Sequence, residues 1–356
     1  MKSFENNEHL IIHMKKKFTF LLMLLFIVIM NCSSNQPEDP SNEQTWASAQ
    51  KINSRLGKGI NIGNTFEAMQ SWQSPFNPSD LKRIADLGFT HVRIPIRWER
   101  DDRSMASAPY TINPDFLITI QSVVNEALKN KLHIIINMHH HDALMANPTG
   151  EKQRFLSQWE QISEYFKDYP DSLLFEILNE PHGKLTSPIW NEFSKEALQQ
   201  IRKTNPKRCV LIGTAEWGGV GGLRSLEIPN DPNLILTIHY YNPFQFTHQG
   251  ASWAEGSEAW VGTKWQDTEL EHQAVADDFK AAIQFANEKN IPIHVGEFGA
   301  YSRADLDSRV KWTTFLCRWF EQQNFSWAYW EWNSGFGIYD PQNGSYNQRL
   351  VDALIK

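Results

Sequence analysis

The sequence predicts an α/β fold of the (β/α)8, or TIM, barrel type, built as one domain. Two observations predict it. Eight short apolar runs recur along the chain, each followed by a longer stretch with helical periodicity. The runs are mostly continuous rather than alternating, as parallel strands covered on both faces require. With 356 residues, 41% of them hydrophobic, the chain is long enough for a single barrel-sized core; such folds take about 250 residues and often more.

Taken in order, the candidate strands are Gly59 to Asn64, His91 to Ile96, His133 to His139, Leu173 to Glu180, Cys209 to Thr214, Leu234 to Tyr241, Pro292 to Phe298 and Ser326 to Trp332. The stretches between them carry helix signals. Leu81, Ile84 and Leu87 share one face, and Gly88 supplies a left-handed stop. Phe155, Trp159, Ile162 and Phe166 form a stripe that closes before Pro170, and Thr268 to Asn290 repeats the pattern with Leu270, Val275, Phe279 and Ile283. A doubly wound open sheet is disfavoured, because Gly63-Asn64-Thr65 runs into Phe66-Glu67 and not into the spaced glycines of a nucleotide loop. The run from Tyr240 to Gln266 is long and rich in Trp, Gly and His. A long loop at the C-terminal face of a barrel is usually functional.

The N-terminus reads as a targeting segment and stands apart from the fold. Lys15-Lys16-Lys17 precedes an apolar run from Phe18 to Met30, short for a bilayer span but suited to a signal peptide over residues 1–31. Translation from Met14 would fit that pattern better than from Met1. Ile29-Met30-Asn31-Cys32 resembles a bacterial lipobox, with Asn31 departing from the small residue usual there, so Cys32 is the expected lipidation site. The alternative is an ordinary cleaved secretory signal. Residues 32–48, polar and carrying Pro37 and Pro40, read as a tether, and 49–356 as the barrel. The expectation is an exported protein, a cell-envelope lipoprotein or a secreted one, that meets a membrane only through its lipid. Net charge is −7 with no basic run beyond the N-terminus, which argues against nucleic acid as a partner. Cys209 and Cys317 read as buried thiols, and a monomer is expected.

Two glutamate motifs, Leu178-Asn179-Glu180-Pro181 and Gly296-Glu297-Phe298, each end a strand-like run. Paired carboxyl groups on rigid strand ends are what retaining glycoside hydrolysis needs: one protonates the leaving oxygen, and the other attacks the sugar from the opposite face. The remaining strands also end in polar residues, Asn64 and Glu67, Arg93, His139-His140-His141, His239-Tyr240-Tyr241 and Trp330. Left unpaired and without function, such buried groups would cost about 1 to 3 kcal/mol each. The three adjacent histidines invite a zinc reading, but neighbours on a strand point to opposite faces and no carboxylate completes the set, so no metal or cofactor is expected. Trp98, Trp159 and Trp312 read as packing residues, not sugar platforms.

The ordered motifs Gly59-Ile-Asn-Ile-Gly-Asn64, Val92-Arg93-Ile-Pro95, Asn137-Met-His139-His140, Leu178-Asn179-Glu180-Pro181, Ile238-His239-Tyr-Tyr241, Gly296-Glu297-Phe298 and Trp327-Ala-Tyr-Trp330 resemble those of glycoside hydrolase family 5, the cellulase A family. The resemblance implies Glu180 as acid/base and Glu297 as nucleophile. It implies Asn179 as donor to a sugar 2-hydroxyl, Arg93 and Tyr241 as partners of Glu297, and His239 as the group orienting Glu180. Asn64, Glu67, His139 and His140 would line the nonreducing side, Trp330 would be its stacking floor, and Trp253 would pack on the leaving-group side. The implied activity is a retaining endo-β-1,4-glucanase acting on β-1,4-linked polysaccharide or oligosaccharide. Endo-β-1,4-mannanase, or action on xyloglucan or mixed-linkage glucan, is the alternative within the class. An inactive carbohydrate-binding lipoprotein is the alternative outside it, disfavoured because both glutamates are present.

Overall fold

The computed structural model describes residues 46–356. The expected signal segment, Cys32 and most of the expected tether lie outside the described residues. Eight parallel strands close a barrel in sequence order: β1 Lys58–Asn61, β2 His91–Ile94, β3 His133–Asn137, β4 Leu173–Glu176, β5 Val210–Gly213, β6 Leu234–His239, β7 Ile293–Phe298 and β8 Ser326–Tyr329. β1 pairs with β8 to complete the ring, with Gly59 opposite Ala328.

Side chains alternate along each strand, and the two faces meet different neighbours. Outward Ile60, Val92, Ile94, Ile134, Ile136, Phe175 and Ile212 join the large core shared with the surrounding helices. Inward Ile135, Leu174, Leu211 and Ile235 fill the lower barrel and pack against Ile52 and Leu56 of helix α1, Ala49–Leu56. α1 thus closes the N-terminal mouth. Its first turn is capped by Ser48, which accepts from the Lys51 amide at 3.3 Å, and Asn53 donates to the Ile293 carbonyl at 3.0 Å. Apolar packing at this end serves stability, while the open C-terminal end carries the polar residues.

All eight expected strands are present, but six of them leave the ladder two to four residues earlier than expected at their C-terminal ends. Glu180, Tyr241 and Trp330 therefore stand beyond regular pairing, where strands splay and side chains turn toward the barrel mouth. One irregularity matters. Ile238 pairs with Val295 and His239 with Glu297, which leaves Gly296 as an extra residue in β7. Val295 packs in the outer core, so strict alternation would also send Glu297 outward. The bulge turns it in.

The helix from Thr268 departs from expectation on its apolar face. Thr268 and Glu271 form a reciprocal capping box, and Asn290 ends the helix with φ 50°. The buried stripe is Val275, Phe279, Ala282 and Ala286, at helical spacing. Leu270 falls off that stripe and is 84% exposed. Cys209 and Cys317 are buried free thiols, and burial pushes Cys209 up to about 12.

Candidate active site

The C-terminal mouth gathers residues from every part of the chain around one guanidinium. Arg93, inward on β2, is fully buried, and burial alone would lower its pKa; the charge of Glu176 and then that of Glu297 drive it upward instead. Its Nη1 donates to Glu297 Oε1 at 2.7 Å. The other Glu297 oxygen accepts from the Tyr241 hydroxyl at 2.9 Å. That phenol stays neutral, because burial and the negative charges of Glu297 and Glu180 push its pKa well up.

Glu180 lies four residues past β4 and is more open, its side chain 23% exposed against 6% for Glu297. One carboxyl oxygen sits 2.7 Å from His239 Nδ1, and that same nitrogen is 3.7 Å from Glu297 Oε2. Burial works to lower the pKa of His239, but the carboxylates of Glu297 and Glu180 outweigh it and raise it. An oxygen of Glu180, an oxygen of Glu297 and a ring nitrogen of His239 all lie within 4.8 Å of one another. Retaining enzymes hold their two carboxyl groups about 5 to 5.5 Å apart, and inverting ones roughly 6.5 to 9.5 Å. This pair has the short spacing.

The same three residues form the one cluster among the described residues whose spacing could hold a metal ion. Its donors are already committed, since Glu297 accepts from Arg93 and Tyr241 and His239 meets Glu180. A dication would also face the adjacent guanidinium.

Asn179 turns its side-chain oxygen to Arg93 Nη2 at 2.6 Å. Its amide nitrogen makes no hydrogen bond among the described residues and remains free to donate. Trp330 lies parallel to His139 at 5.7 Å and 11°, over Gly63, where a Cβ would come within 2.8 Å of the indole. Gly63 is thus required by the floor it carries. His140 packs edge-on against His139 at 4.7 Å, and exposed Trp72 stands beyond it at 6.5 Å. His141 departs from its two neighbours and reaches Glu151 at 3.3 Å, so the histidine run does not converge on one point. Burial lowers His139 well below the imidazole range and His140 to about 4, which keeps both neutral in the cleft.

Asn64 takes a left-handed φ of 58°, and the turn is held by Glu67, whose carboxylate accepts from the Asn64 and Thr65 amides. Glu67 is only 1% exposed, and burial raises its pKa to about 7. Two backbone donors hold its carboxylate against the turn. Trp253 is 60% exposed and packs on Tyr301 at 5.0 Å and Phe336 at 6.2 Å. Trp98, Trp159 and Trp312 are fully buried.

Five neighbours of the site were given no role by the sequence reading. Glu176 and Asn61 both bond Arg93. Trp217 stacks on His182 at 3.6 Å and 10°, and His182 Nδ1 lies 2.6 Å from the Glu180 carbonyl. Glu331 is fully buried, and burial lifts it to about 8. The signal for Glu176 was present: a charged residue inside an otherwise apolar strand needs a buried partner of opposite sign.

The family model for cellulase (glycosyl hydrolase family 5) matches residues 47–335. The chain is 37% identical over 305 residues to endoglucanase H of Acetivibrio thermocellus, covering 85% of this chain and 32% of that protein. It thus spans about a third of that relative's length. Endoglucanase Cel5A from the hyperthermophilic Thermotoga maritima matches with a TM-score of 0.84 and 47% identity, over 87% of this chain and 100% of that one. The structure of Thermotoga maritima Cel5A in complex with mannotriose gives the same TM-score, 0.84, at 46% identity, over 86% of this chain and 100% of that one. The closed barrel, the paired carboxyl groups at its mouth and a match across most of the described residues make this chain a member of glycosyl hydrolase family 5, the cellulase family.

Proposed function

We propose that the protein is a retaining endo-β-1,4-glucanase. The observation that carries this reading is the pair Glu180 and Glu297, with oxygens within 4.8 Å and contrasting surroundings. Glu297, held by Arg93 and Tyr241, is suited to attack the anomeric carbon as an ionised carboxylate. Glu180, more open and shared with His239, is suited to protonate the leaving oxygen. The glycosyl–enzyme ester would then be hydrolysed by water that gives its proton to Glu180. Asn179 would donate to the 2-hydroxyl, His139, His140 and Asn64 would line the nonreducing side above Trp330, and Trp253 would serve the leaving-group side.

A second reading, mannan hydrolysis by the same site, is favoured by one fact: Thermotoga maritima Cel5A has been solved with mannotriose as well as with cellobiose. Glucose and mannose differ in the direction of one hydroxyl, a difference of about 1 to 3 kcal/mol when a hydrogen bond depends on it. Release of reducing sugar from carboxymethylcellulose, barley β-glucan, xyloglucan and glucomannan separates the readings. Glucan cleavage is expected. Binding of cello-oligosaccharides without product from any of the four would leave a carbohydrate-binding protein instead.

For the exported state, we infer a lipid anchor at Cys32 followed by the tether and the barrel, the whole acting as a monomer. Cys32→Ser should release the protein from the membrane fraction; a wild-type protein recovered only in unlipidated soluble form removes the anchor.

A further inference from the structure

All five N–H donors of Arg93 are engaged. Nε and Nη2 donate to the two oxygens of Glu176 at 2.6 and 2.7 Å, a bidentate fork with both side chains fully buried. Nη1 donates to Asn61 Oδ1 at 2.8 Å and to Glu297 Oε1 at 2.7 Å, and the second Nη2 hydrogen goes to Asn179 Oδ1 at 2.6 Å. Such a fork fixes the plane and the rotation of the guanidinium, which a single contact would not. Arg93 in turn holds the proposed nucleophile and the asparagine beside the acid/base.

We propose that Glu176 is a positioning residue for the hydrolytic reaction: it locks Arg93 from the opposite side, and so sets where Glu297 and Asn179 stand and how much positive charge Glu297 feels. This rests on the reading of Glu297 as nucleophile. Stability alone accounts poorly for the pair, because a buried ion pair is often no better than apolar residues of the same volume. Reactivity accounts for it. A nucleophilic carboxylate must be ionised yet basic enough to attack, and a guanidinium divided between two carboxylates serves both needs better than one paired with Glu297 alone.

The groups facing Glu297 are Arg93 on β2, His239 and Tyr241 at the end of β6, Glu180 beyond β4 and His139 beyond β3, its Nε2 3.9 Å from Glu297 Oε1. Glu67 and His140 act on it over longer range. Glu176 acts through Arg93.

The test compares Glu176→Gln and Glu176→Asp with wild type on an activated aryl β-cellobioside and on carboxymethylcellulose, with kcat, KM, pH profile and melting temperature measured for each. Gln keeps the shape and removes the charge, so kcat should fall on the order of 100-fold with KM little changed. The acidic limb should move down by roughly one pH unit, because Glu297 then has Arg93 to itself. Asp keeps the charge but shortens the fork, so kcat should fall while the acidic limb stays in place. A folded Gln variant with wild-type kcat and pH profile overturns the proposal, as does an acidic limb that moves up. Should Gln fail to fold, wild-type kcat in the Asp variant overturns it equally. A wild-type enzyme inactive on every glucan and mannan defeats the functional reading itself; an active wild type with an indifferent Glu176 defeats only this assignment.

Discussion

Replacing Tyr241 with Phe isolates one hydrogen bond at the nucleophile. The hydroxyl donates to Glu297 Oε2 at 2.9 Å, and burial keeps it protonated throughout the working range. Phe keeps the ring, which packs edge-on against His248 at 5.0 Å, so the change removes the donor and little else. A hydrogen bond to a charged group contributes about 1.5 to 3 kcal/mol. One pH unit corresponds to roughly 1.4 kcal/mol, so losing the bond should move the acidic limb of the activity profile by about one to two units. The sign follows from the donor favouring the ionised form, which its removal disfavours. Arg93 still holds Oε1 at 2.7 Å, so the change weakens the support of the carboxylate without abolishing it. The acidic limb of kcat/KM on an aryl β-cellobioside should therefore shift upward, while activity near pH 7 falls much less than activity near pH 5. An acidic limb in its wild-type place would refute the assignment of Tyr241 as the partner that keeps Glu297 ionised.

Two further outcomes follow from the same geometry. Glu297→Ala should be nearly inactive, with azide converting an activated β-glycoside to the α-azide, whereas Glu180→Ala should still form the ester from a good leaving group and give the β-azide; proton NMR reads the anomer, and exchanged products would reverse the two roles. Stability should decline as pH drops below about 6.5, because buried His91, His139, His140, His141, His248 and His294 all have lowered pKa values and stay neutral in the fold while the unfolded chain takes up protons. Each such histidine contributes about 1.4 kcal/mol per pH unit over that window. Glu67, Glu99 and Glu331, raised to about 7, 7 and 8, act in the opposite direction but are fewer. Denaturant melts at pH 7, 6 and 5 check this, and a flat stability profile would contradict it.

What could be read from the chain was whatever a local pattern specifies. Continuous apolar runs at regular intervals mark parallel strands because burial on both faces leaves no polar side. Glu180 and Glu297 stood out because a carboxylate closing such a run has no packing reason to be there. Arg93, His239 and Tyr241 were found in the same way, and the structure brings all of them to one mouth. Leu270 was misplaced because an apolar residue beside a stripe differs from one within it only when the helix is docked.

The rest depended on contacts between distant segments, which no local pattern encodes. Whether Glu297 faces the cleft or the outer helices turns on one extra residue, Gly296, and that is a matter of register between β6 and β7. Glu176 became visible as a partner only when β2 and β4 placed it against Arg93 across 83 residues of sequence. Glu67, expected on the nonreducing side, also braces its own turn, a role that appears only when the folded loop brings two amides to its carboxylate. Residue types and strand periodicity determined the barrel and its two glutamates; the pairing register and the sharing of one buried guanidinium, both properties of chain segments meeting in space, decided where those glutamates point and what surrounds them.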